Sequence, residues 1–322
     1  MAAMVHCSSS WENQIHNQKT GAFSRHAYYG WRGPGGGYEF PRHGGFYIAT
    51  WAHAYECTKD EQFLRAIEAL VDLFAGSAHP DTGALPAGLG DDVKWIHWPM
   101  SDISLAIDLH DAAQRVPRKL AAKMRALDKR IDAVSVKAPH DLQTARKGFV
   151  VHADVRTLKP GNPHLTDPKK IEKFDAYTGG WTAGYGGGNS SHANAAMMFL
   201  ERHRQTGLAA HKRLVLQTAG TYLDEIPKPT DRVYPVAMGE AISLLTGTFE
   251  LTRDKRYLNQ ANRIAARAVE MYFATEPIPR ALPELPYYEA ITGSDTLAMA
   301  LLNLWRVQQQ PKLKLDLIWT DR

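Results

Sequence analysis

The chain carries one short stretch twice, first as Tyr55-Glu56-Cys57-Thr58-Lys59-Asp60-Glu61-Gln62-Phe63-Leu64 and again as Phe249-Glu250-Leu251-Thr252-Arg253-Asp254-Lys255-Arg256-Tyr257-Leu258. Both copies follow the pattern aromatic-Glu-x-Thr-basic-Asp-x-x-aromatic-Leu. Thr and Asp are residues that cap helix ends, and an aromatic–Leu pair shortly afterwards can pack between two helices. Each copy is therefore predicted to be the tight connection of a helical hairpin, and its repetition indicates a repeated architecture.

Further helical hairpins are predicted on both sides of these two stretches. Apolar residues recur at helical spacing in paired segments that are joined by very short connections. The predicted pairs are 46–56 with 61–74, 101–114 with 119–134, 190–205 with 208–223, and 236–251 with 255–273, followed by a last helix at 296–309. Longer segments rich in Gly, Pro, Trp and Tyr separate the pairs or precede the first of them, at 20–45, 77–97, 135–189, 226–235 and 274–293.

This alternation of short and long connections predicts the fold class. If successive helices run antiparallel, all short connections lie on one rim and all long ones on the other. An all-α (α/α) toroid or barrel of antiparallel helical hairpins, closed or incomplete, has this arrangement. The prediction is a single domain over 1–322 with a long loop inserted at about 135–189. Within that insertion, the segment from Gly148 to Val155 is typical of strands and predicts a small β-hairpin.

The composition narrows the class of protein. The 322 residues include 44% hydrophobic and 22% charged side chains, which is ordinary for a globular protein and argues against disorder. No apolar run approaches the roughly 20 residues that span a bilayer. Two cysteines, Cys7 and Cys57, exclude a disulfide scaffold and a cysteine-based metal site. The first residues lack the regions of a signal peptide, so we expect an intracellular protein, or a secreted or periplasmic one if a leader has been trimmed.

The charge favours an anionic partner. The formal net charge is +4 and the isoelectric point is about 8.9. Lys and Arg are spread along the chain instead of forming runs interleaved with aromatic residues, which argues against nucleic acid. An anionic small molecule and an acidic polymer are both left open as partners, with neither nucleic acid nor a membrane involved.

Binding residues are expected on the rim of long connections, because loops held by a rigid scaffold carry function. The first long loop is rich in glycine but lacks the Walker spacing and the strand–turn–helix context of a phosphate-binding loop. Its aromatic residues can stack on sugar rings, and its arginines can hold carboxylates with a planar fork. The substrate-binding candidates in this loop are Arg32, Tyr38, Arg42 and His43. The alternative is a structural glycine loop packed with aromatic residues.

A second cluster surrounds the start of the helix predicted from residue 190. Ser190 or Asn189 is a suitable cap, which places His192 and Asn194 in the first turn. A neutral histidine and an amide near the positive end of a helix dipole can bind a carboxylate. The alternative for His192 is a buried histidine whose hydrogen bonds are satisfied. The substrate-binding candidates of this cluster are Trp181, Tyr185 and Asn194.

Two more clusters precede predicted inner helices. Arg232 and Tyr234 come just before the helix at 236–251, and Glu240 lies about one turn inside it. The other cluster, ahead of the last helix, is Tyr287, Tyr288 and Glu289. Tyrosine and arginine at the same place in successive hairpins favour an active cleft over chance packing. A serine nucleophile is poorly supported, because no Gly-x-Ser-x-Gly elbow occurs.

With these clusters the chain resembles the toroidal polysaccharide lyases, in particular those acting on alginate or glucuronan. The resemblance rests on the hairpin periodicity over most of the chain and on the clusters of Asn, His, Arg and Tyr. It implies an anionic polysaccharide or oligosaccharide as the partner. The implied reaction is β-elimination without a cofactor, in which the uronate carboxylate is neutralised and the C5 proton is then removed. The implied neutralising residues are Asn189, His192 and Arg232, and the implied proton-transferring residues are Tyr234, Tyr287 or Tyr288. A metal between distant residues such as His43 and His192 is left open by the sequence.

Two alternatives to a lyase remain at this point. A glycoside hydrolase on the same scaffold needs two carboxylates facing each other across the cleft. The candidates for that pair are Asp102, Glu240 and Glu289. Asp102 has an alternative role as a helix cap, and Glu240 as a solvated side chain. The second alternative is a toroid that binds glycans or proteins without catalysis.

Overall fold

The computed structural model describes residues 16–17, 22–23, 40–91, 93–138, 140–142, 148–181, 191–273, 277–289 and 292–313. The chain divides into two compact units. Unit 1 takes the described residues of 1–139 and 152–176, and unit 2 takes those of 140–151 and 177–321. The single domain expected over 1–322 stays a prediction.

Helices dominate both units, as predicted. In unit 1 they are α1 (Pro41–Thr58), α2 (Glu61–Ser77), α3 (Pro99–Ala112), α4 (Arg118–Ser135) and α5 (Pro168–Lys173). In unit 2 they are α6 (His192–Thr206), α7 (Ala209–Thr221), α8 (Pro235–Thr252), α9 (Lys255–Tyr272) and α10 (Ser294–Gln309). The strands are β1 (His16–Asn17), β2 (Ala22–Phe23), β3 (Ile96–His97), β4 (His140–Asp141), β5 (Gly148–Phe149) and β6 (Ala153–Asp154). Within the described part of the chain, each helix is either too short or too polar to cross a membrane.

The repeated stretch forms the α1–α2 connection in the predicted way. The Thr58 hydroxyl donates to the Ala54 carbonyl at 2.8 Å and accepts the backbone N–H of Asp60 at 3.2 Å. The Asp60 carboxylate then accepts the N–H of Gln62 at 2.9 Å, which caps α2. Lys59 between them has φ of 58°, the left-handed conformation that ends a helix.

The α8–α9 connection repeats this geometry. Thr252 accepts the N–H of Asp254 at 3.2 Å, and Asp254 accepts the N–H of Arg256 at 2.9 Å. Arg253 has φ of 62°. The α6–α7 connection uses a related turn in which Gly207 takes the left-handed position, with φ of 72°. Three hairpins thus share one local mechanism for reversing the chain.

Within each unit, the first helices of successive hairpins run parallel. In unit 1 the rings of Phe40 and Trp98, which directly precede α1 and α3, have centroids 4.9 Å apart. Near the other ends of the same helices, Arg115 Nε donates to His53 Nδ1 at 3.2 Å. The starts of α1 and α3 therefore lie together, and so do the regions near their ends.

The same holds for α6, α8 and α10 in unit 2. Asn194 near the start of α6 donates to Glu240 near the start of α8, at 2.7 Å. Near the ends, Arg204 of α6 lies 3.9 Å from Glu250 of α8, and Arg306 of α10 lies 2.7 Å from the same carboxylate. The hairpin phase expected from the short and long connections is confirmed within each unit.

Helix α1 begins five residues earlier than the sequence predicted. Pro41 occupies its first position, where a missing N–H costs nothing. Gly44 and Gly45 were expected in the loop but lie in the helix. A Cβ at Gly44 would overlap the Phe74 ring of α2, and one at Gly45 would lie 2.5 Å from Asp108 of α3. The glycines therefore allow close packing of α1, and the prediction that they end a flexible loop is wrong.

The cores explain why these helices stay together. In unit 1 Trp51, Leu70, Phe74, Leu105 and Met124 are almost completely buried. Each side chain of this size contributes about 1.5–3 kcal/mol on burial. In unit 2, α8 is buried on nearly every face. A helix that is apolar all round belongs in an interior, which places α8 at the centre of its unit.

The insertion contains a small β-hairpin, but its strands differ from the prediction. Gly148–Phe149 pairs antiparallel with His140–Asp141, and both strands belong to unit 2. Ala153–Asp154 pairs instead with Ile96–His97 in unit 1. The segment from Gly148 to Val155 therefore does not fold on itself, because each half finds backbone partners elsewhere.

Candidate functional site

The start of α6 in unit 2 brings several predicted residues together. Ser191 caps the helix, since its hydroxyl accepts the N–H of Asn194 at 2.8 Å. The caps expected from the sequence were Ser190 or Asn189, so the helix begins one residue later than a Ser190 cap requires and two later than an Asn189 cap requires. His192 is consequently the first residue of α6 and Asn194 the third.

Glu240 of α8 holds this helix start from the side. Its Oε2 accepts the Ser191 hydroxyl at 2.6 Å, and its Oε1 accepts Asn194 Nδ2 at 2.7 Å. Glu240 is 3% exposed, so the solvated alternative considered from the sequence is wrong. Hydrogen bonds to a buried carboxylate are strong, and these two fix the orientation of α6 relative to α8.

His192 is buried at the start of the helix, with 5% of its surface exposed. Its Nδ1 lies 2.7 Å from the Thr178 hydroxyl, which also accepts the N–H of Phe149 at 2.8 Å. The Thr178 hydroxyl can donate to Nδ1 or accept from it, according to which ring nitrogen carries the proton. Nε2 makes no hydrogen bond to any described residue. The second ring nitrogen therefore stays available to a ligand.

Burial sets the charge of this ring. It lowers the pKa of His192 from 6.5 to about 4, and the carboxylate of Glu225 raises it only in part. The imidazole is consequently neutral at pH 7, as the sequence-based interpretation required for a histidine at a helix start. A neutral N–H donor suits a hydroxyl or a carboxylate of a ligand.

Gly148 of β5 packs directly against this histidine. A Cβ at Gly148 would overlap both the Thr178 hydroxyl and the His192 ring, and its φ is +57°. Only glycine combines that conformation with such a close approach. The β-hairpin thus holds His192 and Thr178 in place.

Tyr222 closes the other side of the cluster. Its hydroxyl donates to the Gly180 carbonyl at 2.5 Å and accepts the N–H of Ala193 at 3.1 Å. Burial raises the pKa of Tyr222 well above its usual range, and the carboxylates of Glu240 and Glu225 raise it further. The ring of Trp181 packs edge-on against it with centroids 5.1 Å apart.

Glu225 was missed by the sequence interpretation. It is half-buried, and its charge acts on both His192 and Tyr222. The available signal was its position at the end of a helical hairpin, where the long connection 226–235 begins. The charges of two carboxylates, Glu225 and Glu240, therefore both act on the Tyr222 hydroxyl.

The other predicted residues of unit 2 lie on its surface. Arg232 is 74% exposed along its side chain and pairs with Glu284 at 3.1 Å. Tyr234 directly precedes α8 and is 38% exposed. Tyr287, Tyr288 and Glu289 are exposed, and the Glu289 carbonyl accepts from Thr292. In the described part of the chain, no hydrogen bond or ion pair joins Arg232 or these tyrosines to His192.

In unit 1, Asp102 lies in the first turn of α3. It accepts the N–H of Leu85 at 3.4 Å and lies 3.4 Å from His97 Nδ1, which is also 3.1 Å from the Leu85 carbonyl. Burial raises the pKa of Asp102 well above its usual range and lowers that of His97 to about 4. His97 is therefore neutral at pH 7, and burial favours the protonated form of the neighbouring Asp102. Asp102 does not cap α3, whose N-cap is Trp98.

Two candidates of the first loop lie in α1 instead. Arg42 and His43 occupy the first turn of this helix, and the His43 ring meets Phe40 edge-on with centroids 4.7 Å apart. Four candidates lie outside the described residues, and these are Arg32, Tyr38, Tyr185 and Asn189. No group of three His, Cys, Asp or Glu residues within the described part of the chain is arranged to hold a metal ion.

Comparison with known proteins connects this geometry to a fold. Neither a protein-family model nor a curated protein matches the sequence. Solved structures do match, with (α/α)-toroid folds. A glycoside hydrolase family 76 mannosidase from Bacteroides thetaiotaomicron matches with a TM-score of 0.56 and 11% identity, over 97% of this chain and 83% of that one.

Two further structures give the same result. Cellobiose 2-epimerase from Bacillus thermoamylovorans matches with a TM-score of 0.53 and 10% identity, over 96% of this chain and 88% of that one. Unsaturated glucuronyl hydrolase from a Bacillus species matches with a TM-score of 0.53 and 14% identity, over 88% and 78%. The chain therefore has an (α/α)-toroid fold, which confirms the predicted fold class. The resemblance to toroidal polysaccharide lyases is confirmed for the toroid and not for the lyase activity.

Proposed function

We propose that this protein is a carbohydrate-processing enzyme that hydrolyses a glycosidic bond at the start of α6 in unit 2. The observation that carries the proposal is the buried cluster at this helix start, where the Glu240 carboxylate holds Ser191 and Asn194 and the charge of Glu225 acts on the neutral His192. Support for the substrate class comes from the fold, since toroids of similar structure include a mannosidase, an unsaturated glucuronyl hydrolase and a sugar epimerase.

The proposed roles follow from the burial of each group. Glycoside hydrolysis needs one carboxyl group that moves a proton and a second that supports the developing positive charge or activates water. Glu225, which is half-buried, is the proton-transferring group of this proposal. Glu240 supplies the second carboxylate. Both of its oxygens accept hydrogen bonds, from Ser191 and Asn194, which fix the start of α6 against α8. His192 donates its Nε2–H to a sugar hydroxyl, and the Trp181 ring provides an apolar surface for the sugar.

The test is an assay for new reducing ends on a panel of mannose-, glucose- and glucuronate-containing glycans. We expect Glu225→Gln to lower turnover by about 10²–10⁴, the scale of general acid–base catalysis, with little change in folding. Glu270→Gln on the surface of α9, which removes an ion pair with Arg267, is the matched control and should leave turnover unchanged. Full activity of Glu225→Gln on a glycan that the protein cleaves would refute the assignment.

A second candidate function is β-elimination of a uronate polymer. The specific observation in its favour is again His192, because an N–H donor at a helix start suits a uronate carboxylate. In this reaction Arg232 and Asn189 would assist neutralisation, and Tyr234, Tyr287 or Tyr288 would transfer the proton. A lyase creates an unsaturated uronate, so ultraviolet absorbance separates it from a hydrolase, and loss of that signal in one Tyr→Phe variant identifies the proton carrier.

The anionic character of the substrate is part of the same proposal. The net charge of +4 attracts polyanions in a manner that salt screens. Raising the ionic strength should therefore raise KM for a uronate polymer and leave KM for a neutral glycan unchanged. If salt changed KM equally for the two substrates, the negative charge of the substrate would not contribute to its binding.

A further inference from the structure

One buried polar residue of α9 is not explained by the apolar packing of that helix. The other buried residues of α9 are apolar or aromatic, as in Ile264, Ala268 and Met271, and they share one face of the helix. Gln260 lies on the same face and is 3% exposed. Burying an amide costs free energy unless its hydrogen bonds are made. The contacts of this side chain therefore indicate why a glutamine is present here.

Both polar atoms of the Gln260 amide have partners. Nε2 donates to the carbonyls of Tyr222 at 2.8 Å and Glu225 at 3.0 Å. Oε1 accepts from Arg263 Nη1 at 2.9 Å. The opposite orientation of the amide would turn its oxygen towards two carbonyls and its N–H groups towards a guanidinium, so the network itself fixes the orientation. The side chain thus joins two backbone carbonyls with its two N–H groups.

These carbonyls lie where α7 passes into the long connection to α8. Tyr222 is the C-cap of α7 and has φ of −93°, a right-handed conformation. By contrast, α1, α6 and α8 end at left-handed residues, which are Lys59, Gly207 and Arg253. The last carbonyls of a helix need partners from outside it. For α7, such a partner comes from Gln260, 38 residues further along the chain.

A helix cap alone would need only the bond to Tyr222. The second bond reaches Glu225, beyond the end of α7, and Arg267 Nη1 of α9 donates to the Pro227 carbonyl at 2.7 Å. Helix α9 therefore holds the backbone on both sides of Glu225. The same segment carries Tyr222, whose hydroxyl accepts a backbone N–H at the start of α6. The backbone of Glu225 is thereby fixed relative to the helix start that bears His192.

We propose that Gln260 is a positioning residue for the hydrolysis, because its two bonds set the place of the Glu225 carboxylate relative to His192. The proposal rests on the proposed function for the role of Glu225. Proton transfer requires hydrogen-bond reach between the carboxyl group and the atom that it serves. A displacement of about 1 Å can lower turnover about 10²-fold. A contact that holds the backbone of Glu225 can therefore affect turnover without touching the substrate.

The first test measures turnover in Gln260→Met, which keeps the length of the side chain and removes both donors. We expect kcat to fall about 10–100-fold with little change in KM, because the proposed sugar contacts of His192 and Trp181 stay. Tyr272→Phe is the matched control, since it removes a buried bond from the same helix to the Val233 carbonyl, at 2.5 Å, in the same long connection. It should lower thermal stability by a similar amount and leave kcat unchanged.

A second test needs no substrate, because His192 reports the position of Glu225. Burial lowers the pKa of His192 to about 4, and the charge of Glu225 raises it in part. We expect NMR titration to give a lower His192 pKa in Glu225→Gln and in Gln260→Met, and the wild-type pKa in Tyr272→Phe. In the double variant the pKa should equal that of Glu225→Gln alone, since both substitutions act through one carboxylate.

The outcomes separate this proposal from the proposed function. A lowered His192 pKa in Gln260→Met, in a protein that cleaves no glycan, supports the positioning of Glu225 and refutes the hydrolase. Wild-type kcat and His192 pKa in Gln260→Met with native circular dichroism would overturn the proposal. A raised His192 pKa, or additive shifts in the double variant, would overturn it as well, because the substitution would then act on the burial of the ring. If Gln260→Met does not fold, Gln260→Asn, whose shorter amide cannot reach both carbonyls, gives the same two readouts.

Discussion

At the scale of single residues, the site depends most directly on the absence of a side chain at Gly148. Its φ of +57° disfavours any other residue, and a Cβ there would collide with Thr178 and His192. The resulting overlap cannot be relieved by a flexible chain end, because both neighbours are buried and hydrogen-bonded to each other. The position of His192 therefore depends on a residue 44 positions earlier in the sequence.

We expect Gly148→Ala to lower the free energy of unfolding by about 2–4 kcal/mol, since left-handed strain adds to overpacking. It should also displace the His192 ring, which NMR shifts of that ring report. Gly180→Ala is the matched control, because a Cβ at Gly180 meets nothing within 4 Å. Equal urea midpoints for the two variants would show that the packing around Gly148 is looser than described.

At the scale of elements, two glycines of the helical hairpins have different backbone conformations. Gly207 ends α6 in the left-handed conformation with φ of 72°, whereas Gly76 lies within α2. A Cβ at either glycine meets nothing within 4 Å, so packing does not distinguish the two positions. Backbone conformation alone should decide the effect of adding a methyl group.

We expect Gly207→Ala to destabilise the protein by about 1 kcal/mol, because alanine disfavours the left-handed region. Gly76→Ala should stabilise it by up to about 1 kcal/mol, because alanine is the better helix former. Urea unfolding of both variants beside the wild type measures the difference. The same sign for the two substitutions would contradict the assigned turn geometry.

At the scale of the whole molecule, buried histidines link stability to pH. The pKa values of His192 and His97 are lowered to about 4 in the folded protein from 6.5. Between these values the unfolded chain binds protons that the folded chain does not, so the free energy of unfolding falls as pH falls from about 6.5 to 4. Asp102 acts in the opposite sense, because its raised pKa lets the folded form keep a proton that the unfolded form releases.

The contribution of His192 can be isolated by substitution. We expect His192→Gln to reduce the acid dependence of the unfolding free energy by up to about 1.4 kcal/mol per pH unit between pH 4 and 6.5. His53→Gln is the control, since that side chain is half-exposed on α1. Identical pH slopes for the wild type and His192→Gln would show that the ring titrates alike in the folded and unfolded chains.

The sequence by itself determined the helical hairpins and the fold class. Turn chemistry and the 3.6-residue period act between residues a few positions apart, so Thr58 with Asp60 and Thr252 with Asp254 could be interpreted locally. The start of a helix could not be predicted locally where a glycine is present because of its packing contacts. Gly44 and Gly45 were interpreted as a loop, and only the close approach of Gly44 to Phe74 and of Gly45 to Asp108 shows why α1 has glycine at these positions.

The tertiary structure alone decided which polar groups meet and which of them carry charge. Asn194 and Glu240 are 46 residues apart and bond because α6 and α8 run side by side, which no local pattern encodes. Glu225 escaped notice for the same reason, and Arg232 proved to pair with Glu284 at the surface. Protonation follows burial, so the neutrality of His192 and the raised pKa of Asp102 became visible only once the residues packed around them were known.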